Sequence, residues 1–307
     1  MVDWLKLAKQ MVALGFDEIH QSDLSTGRKC RKKLYFYLQA GRHQQGSMPA
    51  LLGSIFHRMV HTCYENNLFE ERAMSMEAEI CWEAIEHVFL RHPPSFMWEG
   101  QRVTQFHVFP ILIQRVQGLS LINLVFKVLE AIRLEGMIIE AQELPVKVGP
   151  LVGEIDLVVR CAGERGVLDL KSYGMWQAWT KGKSIKKVGW EVEEVELNPQ
   201  LRHYSFLYER STGHHVDFYG FIAPANTTTY VKGARKGQVR GETLFTANAL
   251  PLDGYEEDVY EWLLSFLESQ PRDYPANFGK SECPNCQFRG PCLKGATYQV
   301  AEEYDDE

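Results

Sequence analysis

Two aspartates and a lysine interrupt strands that otherwise read as buried, and no other feature of the chain restricts its fold so tightly. Residues 137–148, 151–161 and 166–171 are rich in β-branched and aliphatic side chains. Turn signals at Gly149-Pro150 and Gly163-Glu164-Arg165-Gly166 separate them, so they read as three strands joined by hairpins. Asp156, Asp169 and Lys171 fall inside this run. Asp and Lys are poor strand formers, and each is costly to bury without a partner, so the break needs a reason. Asp169 and Lys171 are two apart and leave the same face of their strand. A hairpin turning about Gly163 and Glu164 is expected to set Asp156 across from Lys171 on that face. Two carboxylates held together repel, and a divalent cation between them relieves the repulsion. Phosphodiester hydrolysis needs such a trio. Mg²⁺ or Mn²⁺ on Asp156 and Asp169 would polarise the scissile phosphate and lower the pKa of a bound water, while Lys171 offsets charge in the transition state. Asp-x-Lys alone equally describes a structural salt bridge on a solvated strand.

The surrounding pattern is helices, three strands, a helix, a strand, a helix and a cysteine-bearing tail, which predicts an α/β or α+β fold. Residues 50–69, 70–89 and 120–134 carry apolar residues at helical spacing, and an amphipathic helix is expected in the first 18 residues. Asn198-Pro199 is an N-cap followed by proline at the first helical position, so a helix is expected over 199–210, followed by a strand over 216–223 and a helix over 258–269.

The sequence Gly153-Glu154-Ile155-Asp156, with Asp169-Leu170-Lys171 thirteen residues further on, resembles the core of the PD-(D/E)XK nuclease superfamily. In particular it resembles the RecB and AddB nuclease domains and the exonucleases of CRISPR adaptation. Gly53-Ser54-Ile55-Phe56-His57 resembles the family's upstream helix, whose histidine is a metal ligand, and Gln200-Leu201-Arg202-His203-Tyr204 resembles its Gln-x-x-x-Tyr motif. The resemblance implies a restriction-endonuclease-like core with a central mixed sheet flanked by helices. It further implies Asp156, Asp169 and Lys171 as catalytic residues, and His57, Asp156, Asp169 and the backbone carbonyl of Leu170 as metal ligands. Gln200 and Tyr204 become substrate-binding residues. His61, one turn after His57, has no counterpart in the pattern and reads as packed or surface. Glu143 is a further candidate carboxylate, with Glu140 and Glu154 equally available by count.

Seven cysteines are an odd number, and the N-terminus carries Asp3 where a secretory signal would be basic, so a disulfide framework is not expected. Cys283, Cys286 and Cys292 form Cys-x2-Cys-x5-Cys in a loop with Pro284, Gly290 and Pro291. Zinc and iron–sulfur clusters both take four cysteines. Cys63 and Cys81 lie on apolar helical faces and Cys161 ends a strand, so Cys30, in an expected turn over residues 25–30, is the best candidate for the fourth ligand. This split arrangement resembles the [4Fe–4S] clamp of the AddB-like nucleases and CRISPR exonucleases. The reading is therefore one elaborated domain over residues 1–298, with a core at 137–224, a helical part at 50–136 and a clamp of Cys30 with 283–292, then an acidic tail at 299–307.

The expected function is a DNA exonuclease acting on single strands or DNA ends in recombination, repair or CRISPR adaptation. Its expected cofactors are Mg²⁺ or Mn²⁺ and a [4Fe–4S] cluster. A non-catalytic nucleic-acid-binding iron–sulfur subunit of a larger complex is the alternative, with a redox sensor behind it. The formal net charge of −7 weighs against nucleic acid, but residues 28–33, 171–187 and 232–240 are locally basic. Trp176, Trp179 and Trp190 stand among Lys181, Lys183, Lys186 and Lys187, a mixture that suits either stacking on single-stranded bases or a packed flap. The chain has no Gly-x4-Gly-Lys-Ser/Thr loop, so unwinding is expected from a partner helicase or from recombination or CRISPR-adaptation proteins. No stretch is apolar enough to span a membrane, and a cytoplasmic location is expected.

Overall fold

The computed structural model describes residues 2–39, 48–68, 75–91, 95–98, 101–104, 114, 116, 121–171, 195–224, 228–229, 239–240, 243–269, 286, 288 and 292. Four helices come first: α1 (Trp4–Ala13), α2 (Gln21–Lys29), α3 (Arg31–Gln39) and α4 (Met48–Glu65). After them come α5 (Glu77–Arg91), a small hairpin of β1 (Ser95–Trp98) and β2 (Gln101–Thr104), and α6 (Leu121–Leu134). The strands expected from the sequence follow as β3 (Ile138–Val148), β4 (Leu151–Cys161) and β5 (Glu164–Leu170). The rest is α7 (Pro199–Thr212), β6 (Phe218–Ile222), the short pair β7 (Thr228–Thr229) and β8 (Val239–Arg240), β9 (Leu244–Asn248) and α8 (Tyr255–Glu268). No helix among the described residues is long and apolar enough to cross a membrane.

The expected central mixed sheet with helices on both faces is what forms. Its order is β3-β4-β5-β6-β9, with β5 and β6 parallel and the other neighbours antiparallel. Strand alternation divides the core in two. Leu157, Val159, Leu168 and Leu170 pack with α4, α5 and α6. Ile155, Val158, Val167 and Phe221 pack with α1, α7 and α8. Each fully buried Leu, Ile or Phe contributes roughly 1.5–3 kcal/mol.

The hairpin register differs from the expected one. β4 and β5 pair from Cys161 with Glu164 to Leu157 with Leu168. The turn is therefore Ala162-Gly163, both at positive φ (51° and 95°), as a two-residue hairpin turn demands. This slides the pairing by two residues, so faces are preserved but partners change. Continued by one step, the ladder would set Asp156 against Asp169, not Lys171.

The expected turn over residues 25–30 is also replaced by structure. Residues up to Lys29 are helical, and Cys30 forms the break between α2 and α3. His20 and Asp23 cap α2, with the His20 amide donating to Asp23 Oδ2 at 2.8 Å. Gly27 is needed there because a Cβ would lie 2.4 Å from the Trp262 ring of α8.

A candidate active site between the two helical layers

The site forms where the β4–β5 ladder stops. Along β4, Ile155 packs on the α7 face while Leu157 packs on the α4 face, although two residues apart should share a face. The strand is thus irregular at Asp156. Glu143, opposite Asp156 by count in β3, has φ of 45°, a left-handed conformation uncommon for a side-chain-bearing residue. The irregularity frees Asp156 from the ladder. Its Oδ2 accepts the Leu170 amide at 2.7 Å, and its Oδ1 lies 3.3 Å from His57 Nδ1 of α4. The other ring nitrogen, His57 Nε2, is 2.9 Å from the Leu170 carbonyl oxygen. One histidine from the helical layer therefore touches an acid on β4 and a carbonyl on β5.

The remaining groups approach from the α7 side. Leu168 and Leu170 face α4, so alternation turns Asp169 and Lys171 towards α7. Lys171 Nζ is 2.5 Å from Asp169 Oδ2. The ammonium meets this buried oxygen as a close ion pair. Gln200 Nε2 donates to Asp169 Oδ1 at 2.7 Å, and Gln200 Oε1 accepts from Lys171 Nζ at 3.3 Å. Tyr204, one turn on, has its hydroxyl 3.3 Å from Gln200 Nε2. Asn198 starts α7 by accepting the Gln200 amide at 2.9 Å, with Pro199 behind it as the sequence predicts.

The electrostatics follow from two buried acids side by side. Burial, and then the Asp156 charge, raise Asp169 above the usual carboxylate range against the pull of Lys171 and His57. Burial also opposes charge on Asp156, but His57, the Leu170 amide and Lys171 outweigh it and hold Asp156 below that range. Burial alone would lower His57; the Asp156 charge and hydrogen bond dominate, with Asp169 and the Leu170 carbonyl adding, and its pKa rises to about 9. The protonated imidazole thus supplies the positive charge that two neighbouring carboxylates require. Tyr204 is pushed up by burial and by the Asp169 charge, so it stays a phenol.

These donors suit a hard divalent cation in type: two carboxylates, a carbonyl oxygen and an imidazole. Each now points at a neighbour, and among the described residues no three His, Cys, Asp or Glu side chains are spread around a common centre. Two buried carboxylates side by side, the Asp156 charge raising Asp169, are the feature of the protein's own structure that a cation would remedy.

Other candidates sort by contact. His61 is bound to Arg58 and to Glu65, with Nδ1 at 3.0 Å from each partner, as its packed reading expects. Glu140 is held by Arg160 and Arg165 and is taken up by that ion-pair network. Three contributors were missed in the sequence. The Leu170 amide fixes Asp156, Phe221 lies under the Lys171 ammonium at 5.2 Å, and Gly153 lets α7 settle on β4, since a Cβ there would sit 3.0 Å from Leu207 and 3.2 Å from Tyr204. Only the glycine left a trace, as the residue before Glu154 in the motif.

Cys283 and most of the basic segments at 171–187 and 232–240 lie outside the described residues, as do the three tryptophans of the 172–194 stretch. Cys30 Sγ accepts the Lys33 amide at 3.4 Å at the start of α3. Phe36 of α3 packs on Phe288, between Cys286 and Cys292, at 5.7 Å between ring centres. Within the basic run 28–33, Arg28 pairs with Asp258 at 2.6 Å, and Arg31 reaches Ser265 and lies over the Trp262 ring. Those two arginines tie the N-terminal helices to α8.

A search of curated proteins returns no match. The family profile described as the PD-(D/E)XK nuclease superfamily matches residues 19–293, a span that takes in His57, both aspartates, Lys171, Gln200, Tyr204, Cys30, Cys283, Cys286 and Cys292. With the sheet topology and the convergence of acids and lysine beside it, that match settles the kinship: the chain belongs to the PD-(D/E)XK nuclease superfamily.

Proposed function

We propose that the chain is a metal-dependent deoxyribonuclease acting as an exonuclease on single strands or duplex ends. Superfamily membership suggests a metal-dependent nuclease. The observation that carries the reading is the Asp169–Lys171 pair facing Asp156 and His57 just past the end of the β4–β5 ladder. His57, Asp156, Asp169 and the Leu170 carbonyl are the groups that would hold Mg²⁺ or Mn²⁺. Such an ion supplies Lewis acidity to the phosphate and to the attacking water.

The chain's own residues do the rest. Asp156 and Asp169 bring negative charge to one spot and fix where a cation can bind. Lys171, partly exposed beside them, carries the ammonium that orients the nucleophile and offsets charge on the phosphate oxygens. Phe221 beneath Lys171 limits where that ammonium can move.

Cys30, Cys283, Cys286 and Cys292 are proposed to hold a [4Fe–4S] cluster, as in the AddB-like nucleases whose clamp their split arrangement resembles. Two contacts support this. The Phe36–Phe288 packing brings the tail to the helix that Cys30 begins, and the Lys33 amide points at the Cys30 sulfur as amides do around bound thiolates. The test is cleavage of end-labelled single-stranded DNA with Mg²⁺ or Mn²⁺. Cleavage that needs the ion and falls on the order of 10³-fold or more in Asp169→Ala and Lys171→Ala, with circular dichroism unchanged, is the expected result. DNA binding without cleavage under both ions would point to a non-catalytic subunit instead.

A further inference from the structure

Gln200 touches both the acid and the base of the Asp169–Lys171 pair. Its amide has a donor end and an acceptor end, and the pair leaves only one way to fit them. The NH₂ group meets Asp169 Oδ1 at 2.7 Å, and the carbonyl oxygen meets the Lys171 ammonium at 3.3 Å. Reversing the amide would put oxygen against carboxylate and N–H against ammonium. A glutamate could not donate to Asp169, and a lysine could not accept from Lys171. Gln200 is itself fixed from two sides. Asn198 Oδ1 takes the backbone amides of Gln200 and Leu201, which sets the entry angle of α7. The Tyr204 hydroxyl lies 3.3 Å from the Gln200 nitrogen, and the Tyr204 ring rests on Gly153, where any side chain would crowd it.

We propose that Gln200, braced by Tyr204, is a positioning residue that holds Lys171 and Asp169 in register for the chemistry, not a contact for the nucleic acid. The proposal rests on the nuclease reading above and assigns the motif's work within that site. A bridging amide fixes a flexible four-carbon ammonium at the cost of one short side chain, and misplacement of a reacting group by about 1 Å costs on the order of 100-fold in rate.

The experiment separates binding from chemistry. Single-stranded DNA affinity is measured without a divalent ion, and single-turnover cleavage is measured with Mn²⁺ at saturating DNA, for the unmutated protein, Gln200→Met and Tyr204→Phe. Methionine keeps the length of glutamine and removes both polar ends, so folding is preserved; Gln200→Ala, with its thermal midpoint recorded, is the second variant. The expected result is affinity within about twofold of the unmutated protein. Single-turnover rate falls on the order of 100-fold in Gln200→Met. The loss in Tyr204→Phe is smaller, roughly 2- to 10-fold, because one hydrogen bond to the brace is lost. Weakened DNA affinity with a normal rate at saturation would overturn the proposal and restore the substrate-contact role. So would a normal rate and affinity in both Gln200 variants. An unmutated protein inert with Mg²⁺ and Mn²⁺ would instead remove the nuclease reading, and the proposal with it, before any variant is compared.

Discussion

The acid centre and the proposed cysteine clamp differ in how far apart along the chain their parts begin. Asp156, Asp169 and Lys171 lie on one hairpin, and the two helical layers need add only His57 and Gln200. Every polar end of that centre already meets a protein partner or, at Asp169 Oδ2, a facing charge. The proposed clamp would instead bring Cys30 to a tail more than 250 residues later. Among the described residues, the Phe36–Phe288 contact and the Lys33–Cys30 hydrogen bond lie nearest to it. The difference teaches that local register can preorganise a charged site without its ion, whereas a closure across the whole chain, as proposed for the clamp, would need a bridge to draw its strength from.

The sharpest way to break this comparison is to remove the bridge. Cys286→Ser is expected to abolish iron content and to cost roughly 2–4 kcal/mol of stability, as loss of a long-loop cross-link would. Cleavage by the protein that remains folded should persist, because the acid centre does not depend on the cluster for its contacts. Iron analysis with thermal unfolding checks it, and unchanged stability in an iron-free variant would show that the contacts of α2 and α3 with α8 close the chain alone.

A second prediction sharpens the other side. His57 has its pKa raised in the fold from 6.5 to about 9, so its stabilisation is fully present below about pH 6.5 and is lost as pH rises through about 9. Metal-free protein should therefore lose roughly 1–3 kcal/mol between those values, and His57→Ala should flatten the profile. Mn²⁺ affinity should rise over the same window, since a ligating imidazole must be neutral. Parallel pH profiles for both proteins would show that His57 is not the group responsible.

The smallest expected effect probes how α7 is seated. Gly153→Ala places a Cβ 3.0 Å from Leu207 and 3.2 Å from Tyr204, which should cost about 1–2 kcal/mol by overpacking. It should lower cleavage more than DNA affinity, by displacing the helix that carries Gln200. Chemical denaturation and single-turnover rates report the two effects separately.

The sequence carried much of this site because buried strands tolerate charge only for a reason, and Asp156, Asp169 and Lys171 advertised one. The Asn198-Pro199 start of α7 was equally legible, being a local rule with local partners. The pairing of Asp156 was not legible. It depends on a turn shifted to Ala162-Gly163 and on a ladder that ends at Leu157, neither of which changes the alternation of apolar residues. Residues 25–29 of α2 look like a turn in the sequence because Ser25, Thr26 and Gly27 are weak helix formers. The support for α2 is tertiary, from Trp262 against Gly27 and from the Arg28–Asp258 pair. Strand β9 escaped notice because only Phe245 of its five residues is fully buried.

The central claim is that Asp156 and Asp169 share one divalent ion with His57. Isothermal titration of metal-free protein with Mn²⁺ at pH 7.5, repeated in buffers of different ionisation enthalpy, measures both binding and the protons released. The account predicts saturable binding with net proton release, lost in Asp156→Asn and in Asp169→Asn alike. Binding that survives either substitution unchanged, or that releases no protons, would contradict it.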